Sequence, residues 1–117
     1  MRVIIAGSRT ISPGPEVISF LVDRSGFEVT EVVSGCARGV DTSGEKWALQ
    51  HKIRIKQFKV TGEDWDRLGK SAGHKRNTEM TKYADALIVI WDGKSPGSKN
   101  MIRQAFDNGL KIYEARV

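Results

Sequence analysis

The sequence predicts a three-layer α/β fold with a mainly parallel sheet of about five strands. Four short apolar runs are rich in Val and Ile, with their apolar residues continuous rather than alternating, a pattern typical of strands covered on both faces. These runs are residues 3–6, 29–33, 86–91 and 110–113. Segments with helical spacing separate them, and strands that alternate with helices of about ten to fifteen residues form right-handed parallel βαβ units.

A fifth run, "IRIKQFKV" at residues 53–60, alternates apolar and basic residues. This pattern predicts an edge strand with one solvated face, on which Arg54 and Lys56 form a basic stripe. Two apolar stripes predict helices, the second of which ends in a glycine C-cap at Gly109. Val40, Trp47, Ala48 and His51 make the first stripe, and Met101, Ile102, Ala105 and Phe106 make the second.

Length and charge limit the classes of protein that fit. The chain has 117 residues, enough for one compact domain but not for two ordinary ones, so we expect a single domain over residues 1–117. The net charge of +5 favours anionic partners, and nucleotides, a nucleic-acid backbone and an acidic protein surface all satisfy it. Basic residues are scattered rather than gathered in a tail, so we expect only weak, salt-sensitive binding of nucleic acid. The first apolar run is too short for a signal peptide or a membrane span, which predicts a cytoplasmic protein.

The remaining distinctive side chains indicate no metal site. Cys36 is the single cysteine, which excludes an internal disulfide and a multi-cysteine metal site. His51 and His74 lack metal-ligand spacing and are expected in core or surface positions. Trp65 is expected to be a packing residue, whereas Trp91 ends a strand and is placed to stack on a base.

Three predicted strands are followed by loops of small residues. The loops are "AGSR" at 6–9, "SGCARGVD" at 34–41 and "WDGKSPGSKN" at 91–100. In open parallel sheets, ligands bind beyond the carboxyl ends of the strands, and the free N–H groups at helix starts favour anions. Neither the P-loop pattern nor the G-x-G-x-x-G fingerprint is present, so a standard dinucleotide-binding dehydrogenase is not expected.

The second loop holds four residues suited to such a site. Gly35 and Gly39 let the backbone turn tightly against a phosphate or ribose. Arg38 supplies a planar charged fork for an anion, and Asp41 either caps the next helix or accepts a sugar hydroxyl. Many βα turns contain glycine without binding a ligand, so one loop is ambiguous, but three at corresponding places favour an anion site.

The segment at residues 64–80 adds a further arginine to this region. Ala72, Arg76 and Met80 share one helical face. That spacing turns Arg76 and its neighbour Asn77 toward the sheet end rather than into solvent.

Several stretches together resemble the YspA-like, cpYpsA-related branch of the SLOG superfamily. They are "AGSR", "SGCARGVD", "GKSAGHKRN" and "LIVIWDGKSPGSKNMI", and the resemblance covers nearly the whole chain. The superfamily includes the LOG phosphoribohydrolases and the nucleotide-binding-like domain of the Smf/DprA proteins. The resemblance implies a Rossmann-like sheet that holds a nucleotide or nucleotide derivative at its strand ends, with no required cofactor, and it implies a homodimer.

The resemblance also assigns residues to that site. It implies a first ligand loop of Gly7, Ser8 and Arg9, a second loop of Gly35, Arg38, Gly39 and Asp41, an Arg-Asn pair at Arg76 and Asn77, and a shortened phosphate loop at Pro96, Gly97 and Ser98. The chain departs from the LOG enzymes in the helix that follows. Those enzymes use a glutamate there, whereas this helix holds Gln104 and no carboxylate before Asp107.

We therefore expect a protein that binds a phosphorylated nucleoside or a derivative similar to ADP-ribose, NAD or a cyclic nucleotide. It would act as a sensor or a nucleotide-processing protein. A first alternative is an N-glycosidic hydrolase of the phosphoribohydrolase type, with Asp41 or Glu45 as its acid. A second alternative is a nucleic-acid-binding module that uses the stripe of Arg54 and Lys56.

Overall fold

The computed structural model describes residues 1–117, apart from the side chain of Lys70, as a five-stranded sheet with helices on both faces. The strands are β1 (Arg2–Gly7), β2 (Glu31–Ser34), β3 (Arg54–Gln57), β4 (Ala86–Trp91) and β5 (Lys111–Arg116). The helices are α1 (Pro15–Ser25), α2 (Val40–Gln50), α3 (Gly62–Leu68), α4 (Lys70–Tyr83) and α5 (Pro96–Asp107). All four strand pairs are parallel, which confirms the predicted Rossmann-like three-layer fold.

The strand order places a topological switch point at the centre of the sheet. The order is β3-β2-β1-β4-β5, so the chain builds outward from β1 in one direction and then returns to pair β4 with the other side of β1. The pairing of these two central strands ends where Gly7 lies opposite Ile90. Ligands of open α/β sheets bind in the crevice beyond such a point.

Each face of the sheet carries its own hydrophobic core. On one face, Ile5 of β1 packs in a cluster with Ile18 of α1 and Trp47 of α2. On the other face, Ile4 belongs to a cluster that includes Met80 of α4. Adjacent residues of β1 are therefore buried on opposite faces, which explains why the central strands appear as continuous apolar runs.

The two edge strands are more exposed than the central ones. The strand predicted from "IRIKQFKV" is β3, which lies at an edge with Arg54 and Lys56 exposed, as expected. The strand β5 lies at the opposite edge, where Lys111 and Glu114 are exposed. The expectation that residues 110–113 are covered on both faces is therefore wrong, because an edge strand has a helix layer over only part of its surface.

The helix α1 has no counterpart among the helices predicted from apolar stripes. It starts after the N-cap Gly14 with Pro15 in its first turn, and it ends at Gly26, whose φ of 73° is left-handed. Its apolar pattern is weak because Ile18 is its one buried residue, while Phe20 is 59% exposed. The residues at its two ends therefore mark this helix in the sequence more clearly than its apolar residues do.

Details of the predicted elements also differ. The second strand begins at Glu31 rather than at residue 29. Phe106 and His51 were assigned to apolar stripes, but both are exposed, and His51 instead stacks on Trp47 with ring centroids 4.5 Å apart. Gly109 follows α5 with a φ of 72°, consistent with the predicted glycine stop.

Candidate functional site

The first loop locks the two central strands together at the switch point. A Cβ atom on Gly7 would lie 1.8 Å from the carbonyl oxygen of Ile90, so glycine is required for this close approach. Buried Ser8 donates its N–H to the same oxygen at 3.1 Å. The Ser8 hydroxyl accepts the N–H of Asp92 at 3.3 Å, and the Ser8 carbonyl accepts that of Val40 at 3.4 Å. Ser8 therefore joins the loops that follow β1, β2 and β4.

A cavity of about 550 Å³ opens where these loops meet, between the first turns of α2 and α5 and the middle of α4. We call it the switch-point cavity. Among the residues predicted for the site, its walls contain Gly7, Ser8, Arg9, Asp41, Arg76, Asn77, Gly97 and Ser98. Its volume lies within the range of about 300–1,000 Å³ that is typical of small-molecule sites.

A second cavity of about 440 Å³ adjoins the first, and we call it the cation cleft. Four cationic side chains line it, together with Gly35 and Trp65: Arg9, Arg38, Lys59 and Arg76. Arg9, Trp65 and Arg76 also line the switch-point cavity, so they form a shared wall. The two cavities together bring the charged residues of the three predicted loops to one end of the sheet.

Arg76 is half-buried in this shared wall with its hydrogen-bonding capacity incompletely used. Its Nη1 donates to the carbonyl oxygen of Gly35 at 3.1 Å, and its Nη2 donates to Oδ1 of Asn77 at 3.4 Å. Its Nε is enclosed and has no partner among the described residues. Burial lowers the pKa of the guanidinium, and the nearby charge of Asp41 acts in the opposite direction. A buried donor without a partner is unusual in a folded protein.

Asp41 is a buried carboxylate that faces the same cavity. It is 4% exposed, and its Oδ2 accepts the N–H of Ala37 at 3.2 Å. Burial raises the pKa of Asp41, while that hydrogen bond and the charge of Arg76 lower it. The N-cap of α2 is Gly39, so the interpretation of Asp41 as the helix cap is wrong. Among the ion pairs of the described residues, none joins Asp41 to Arg76, although both residues line the switch-point cavity.

The two glycines of the second loop make room for protein atoms. A Cβ atom on Gly35 would lie 2.9 Å from Oδ2 of Asp41 and 3.1 Å from Nε of Arg76. Gly39 has a φ of 76°, and its Cβ would lie 2.4 Å from the carbonyl oxygen of Ser8. Gly39 lies outside the walls of both cavities. These contacts explain why glycine is needed at both positions: Gly35 makes room for Asp41 and Arg76, and Gly39 makes room for the first loop. The close contact with a phosphate stays a prediction.

Asn77 connects α4 to the start of α5. It is 2% exposed, and its Nδ2 donates to Oδ1 of Asn100 at 3.0 Å and to the carbonyl oxygen of Gly97 at 3.4 Å. Because its amide is occupied by these partners, Asn77 positions Arg76 and the α5 loop. Asn77 is also one of the residues that line the switch-point cavity.

Two further polar pairs continue this connection along the helices. Gln104 donates to the hydroxyl of Thr78 at 2.8 Å, and Asn108 donates to that of Thr81 at 3.1 Å. The sequence interpretation noted Gln104 only as a departure from the LOG enzymes and did not predict these contacts. The sequence contains a signal for these contacts, because Asn100, Gln104 and Asn108 are spaced four residues apart along one face of α5 and its C-terminal end.

The loop before α5 is organised by its own side chains. Asp92 accepts the N–H groups of Lys94 at 2.8 Å and of Ser95 at 2.9 Å, and these bonds lower the pKa of Asp92. The hydroxyls of Ser95 and buried Ser98 are 3.2 Å apart and bonded to each other. This loop has the small residues expected for a phosphate loop, but a carboxylate lies at its base.

The expectations for two tryptophans are reversed by the structure. Trp91 is 6% exposed and donates its Nε1 to Glu114 at 2.6 Å, so its proposed stacking on a base is wrong. Trp65, expected to be a packing residue, is 39% exposed and lines both cavities. It lies on α3, which has no buried residue, and its indole is the aromatic surface available at the site.

The two candidate acids lie in different places. Asp41 faces the switch-point cavity. Glu45 lies one turn further along α2, where it accepts from the hydroxyl of Ser34 and from Nε2 of Gln57 at 3.0 Å. Glu45 lines neither cavity. Of the two carboxylates, Asp41 is therefore the one in position to contact a ligand.

The fold and these cavities define a Rossmann-like α/β domain with a ligand-sized site at its switch point. Its structure is similar to that of DNA processing protein A (DprA) from Streptococcus pneumoniae, with a TM-score of 0.76 and 23% sequence identity. The similarity covers 97% of this chain and 49% of DprA, so the chain spans about half the length of that protein.

The chain belongs to the same family as Gene 61 protein of Mycobacterium phage D29. The two are 36% identical over 119 residues, which covers 95% of this chain and 93% of the phage protein. No protein-family model matches the chain. As far as the described residues extend, none of the helices is both long enough and apolar enough to span a membrane.

Proposed function

We propose that residues 1–117 form a SLOG-like domain of the YspA-like branch that binds a phosphorylated nucleoside or nucleotide derivative in the switch-point cavity. The ligand class includes ADP-ribose-like, NAD-like and cyclic-nucleotide-like molecules, and the protein acts as a sensor or in nucleotide processing. The observation that carries this proposal is the convergence of Arg9, Asp41 and Arg76 on one ligand-sized cavity at the switch point.

The other groups around the cavity suit the parts of a nucleotide. Arg9 and Arg76 offer charged donors for phosphate oxygens. Asp41 offers a buried acceptor for a sugar hydroxyl. The half-exposed indole of Trp65 offers a flat apolar surface for a base. The homodimer and the cytoplasmic location stay predictions.

The experiment is isothermal titration calorimetry with AMP, ADP, ADP-ribose, NAD and a cyclic dinucleotide. We expect at least one of them to bind with a Kd below about 100 μM, corresponding to a binding free energy of about −5.5 kcal/mol or better. Chromatography of the same mixtures for released base tests the N-glycosidic alternative, in which Asp41 is the acid. Absence of heat for every ligand up to millimolar concentration would contradict the proposal.

A nucleic-acid-binding surface is the second candidate. It is favoured by the exposed stripe on β3, where the ammonium of Lys56 lies 5.6 Å from the ring centre of Phe58 and 5.9 Å from that of Tyr83. Exposed cations beside aromatic rings suit single-stranded nucleic acids. The structural neighbour is described as a DNA processing protein. We rank this candidate second because Arg54 and Lys56 line neither cavity.

A further inference from the structure

The two adjoining cavities differ sharply in charge. Arg9, Arg38, Lys59 and Arg76 line the cation cleft, and the walls of this cleft contain no carboxylate among the described residues. The switch-point cavity contains two of these cations, Arg9 and Arg76, and two carboxylates, Asp41 and Asp92. A strongly anionic group is therefore favoured in the cleft, and a nearly neutral group in the larger cavity.

The protein balances the cations of the cleft only in part. Within the described part of the chain, no hydrogen bond or ion pair involves the side chains of Arg9, Arg38 or Lys59, whereas the charge of Asp41 acts on both Arg9 and Arg76. The like charges around this space of about 440 Å³ repel one another, and an anion between them relieves that repulsion. Two linked phosphates carry about three negative charges, against about two for a single phosphate, and are therefore the better match for four cations.

The first turn of α5 is a poorer place for phosphate. The N–H groups of Lys94 and Ser95 are already bound by Asp92, and the hydroxyls of Ser95 and Ser98 are bonded to each other. The carboxylate of Asp92 lies at the base of the same loop and repels an anion. The phosphate position implied for this loop by the SLOG resemblance therefore competes with a better one.

On the basis of the proposed function, we propose that the ligand is a nucleotide with at least two linked phosphate groups, and that these phosphates lie in the cation cleft. The nucleoside lies in the switch-point cavity, next to Asp41. Arg9, Trp65 and Arg76 line both spaces, so one ligand crosses this shared wall.

The test compares two double variants that each remove two positive charges. The variant Arg38→Gln/Lys59→Gln alters the cleft, and Lys94→Gln/Lys99→Gln alters exposed lysines at the start of α5. Calorimetry at fixed ionic strength uses adenosine, AMP, ADP and inorganic pyrophosphate as probes. For the wild type, we expect ADP to bind at least about tenfold more tightly than AMP.

The cleft variant is expected to weaken ADP and pyrophosphate by about 100-fold and to change adenosine by less than about threefold. The α5 variant is expected to change every Kd by less than about threefold. If nucleotides bind but ADP is unaffected by the cleft variant, or more affected by the α5 variant, the phosphate position is wrong and the proposed function survives. If pyrophosphate binds in the cleft and no nucleoside or nucleotide binds, the proposed function is wrong and the anion site survives. If neither binds, both are overturned.

Discussion

Replacing Gly7 with alanine is expected to lower the free energy of unfolding by about 3 kcal/mol, at the upper end of the usual effect of overpacking. The new Cβ atom would lie 1.8 Å from the carbonyl oxygen of Ile90 and 2.9 Å from Cγ2 of Val40. The first of these is a backbone atom of a central strand, which cannot move aside as a side chain would. Urea unfolding followed by circular dichroism measures the change.

The matched control is Gly97→Ala at the start of α5. A Cβ atom there would meet nothing within 4 Å, so we expect a change of at most about 0.5 kcal/mol. Equal stabilities of the two variants would contradict the close approach of β1 and β4 at the switch point. Because Ser8 follows Gly7 and joins three loops, Gly7→Ala is also expected to disturb the cavity.

The second large effect is expected for Arg76→Met, which should weaken ADP binding by about 100-fold or more. Methionine retains much of the apolar stem of Arg76 and removes the guanidinium that the shared wall presents to both cavities. Arg76→Lys keeps the charge without the planar fork, so a loss of about tenfold is expected. Calorimetry with ADP measures both variants.

The control for this series is Arg103→Met, which removes an exposed arginine of α5 that lines neither cavity. Its affinity for ADP is expected to match that of the wild type. The fold is expected to survive Arg76→Met, because removing the guanidinium also removes the desolvation cost of burying it. A cooperative thermal unfolding transition of the variant checks this expectation. Wild-type affinity in Arg76→Met would exclude Arg76 from the ligand site.

The fold was largely predictable because its central strands are buried on both faces. Continuous runs of Val and Ile around residues 3–6 and 86–91 indicate such strands without any alternative. The signal is weaker at the periphery. An apolar residue on a surface helix can lie on either the buried or the exposed face, and the sequence alone does not show which. The exposed Phe20 hid the apolar stripe of α1, and the exposed Phe106 was wrongly assigned to the buried stripe of α5.

The site was predictable as a set of loops but not as a set of contacts. The sequence indicates that Arg9 and Asp41 approach each other, because parallel strands bring their carboxyl ends to one edge. The helical spacing of residues 72, 76 and 80 adds Arg76 to the same region. Local sequence does not reveal that Gly39 accommodates the backbone of Ser8, since that contact joins separate loops.

The residues of the cation cleft also could not be brought together from local sequence. Lys59 follows an edge strand that was considered for its exposed basic face, and the turn after β3 brings it beside the second loop. The contribution of Trp65 depends on where α3 packs against α4, for which spacing along the chain gives no signal. Residues that meet across three or four elements have to be located by the structure.

The position of the bound nucleotide can be measured by ¹⁵N-resolved NMR, which suits a 13.0 kDa chain, during titration with ADP. Amides that border a bound ligand change their chemical shifts. We expect the largest changes in residues 7–10, 35–41, 73–77 and 92–98, which surround the two cavities, and no comparable change along β3. Shifts concentrated at residues 54–58, with the four cavity segments unchanged, would contradict a nucleotide site at the switch point and favour the edge of the sheet as the binding surface.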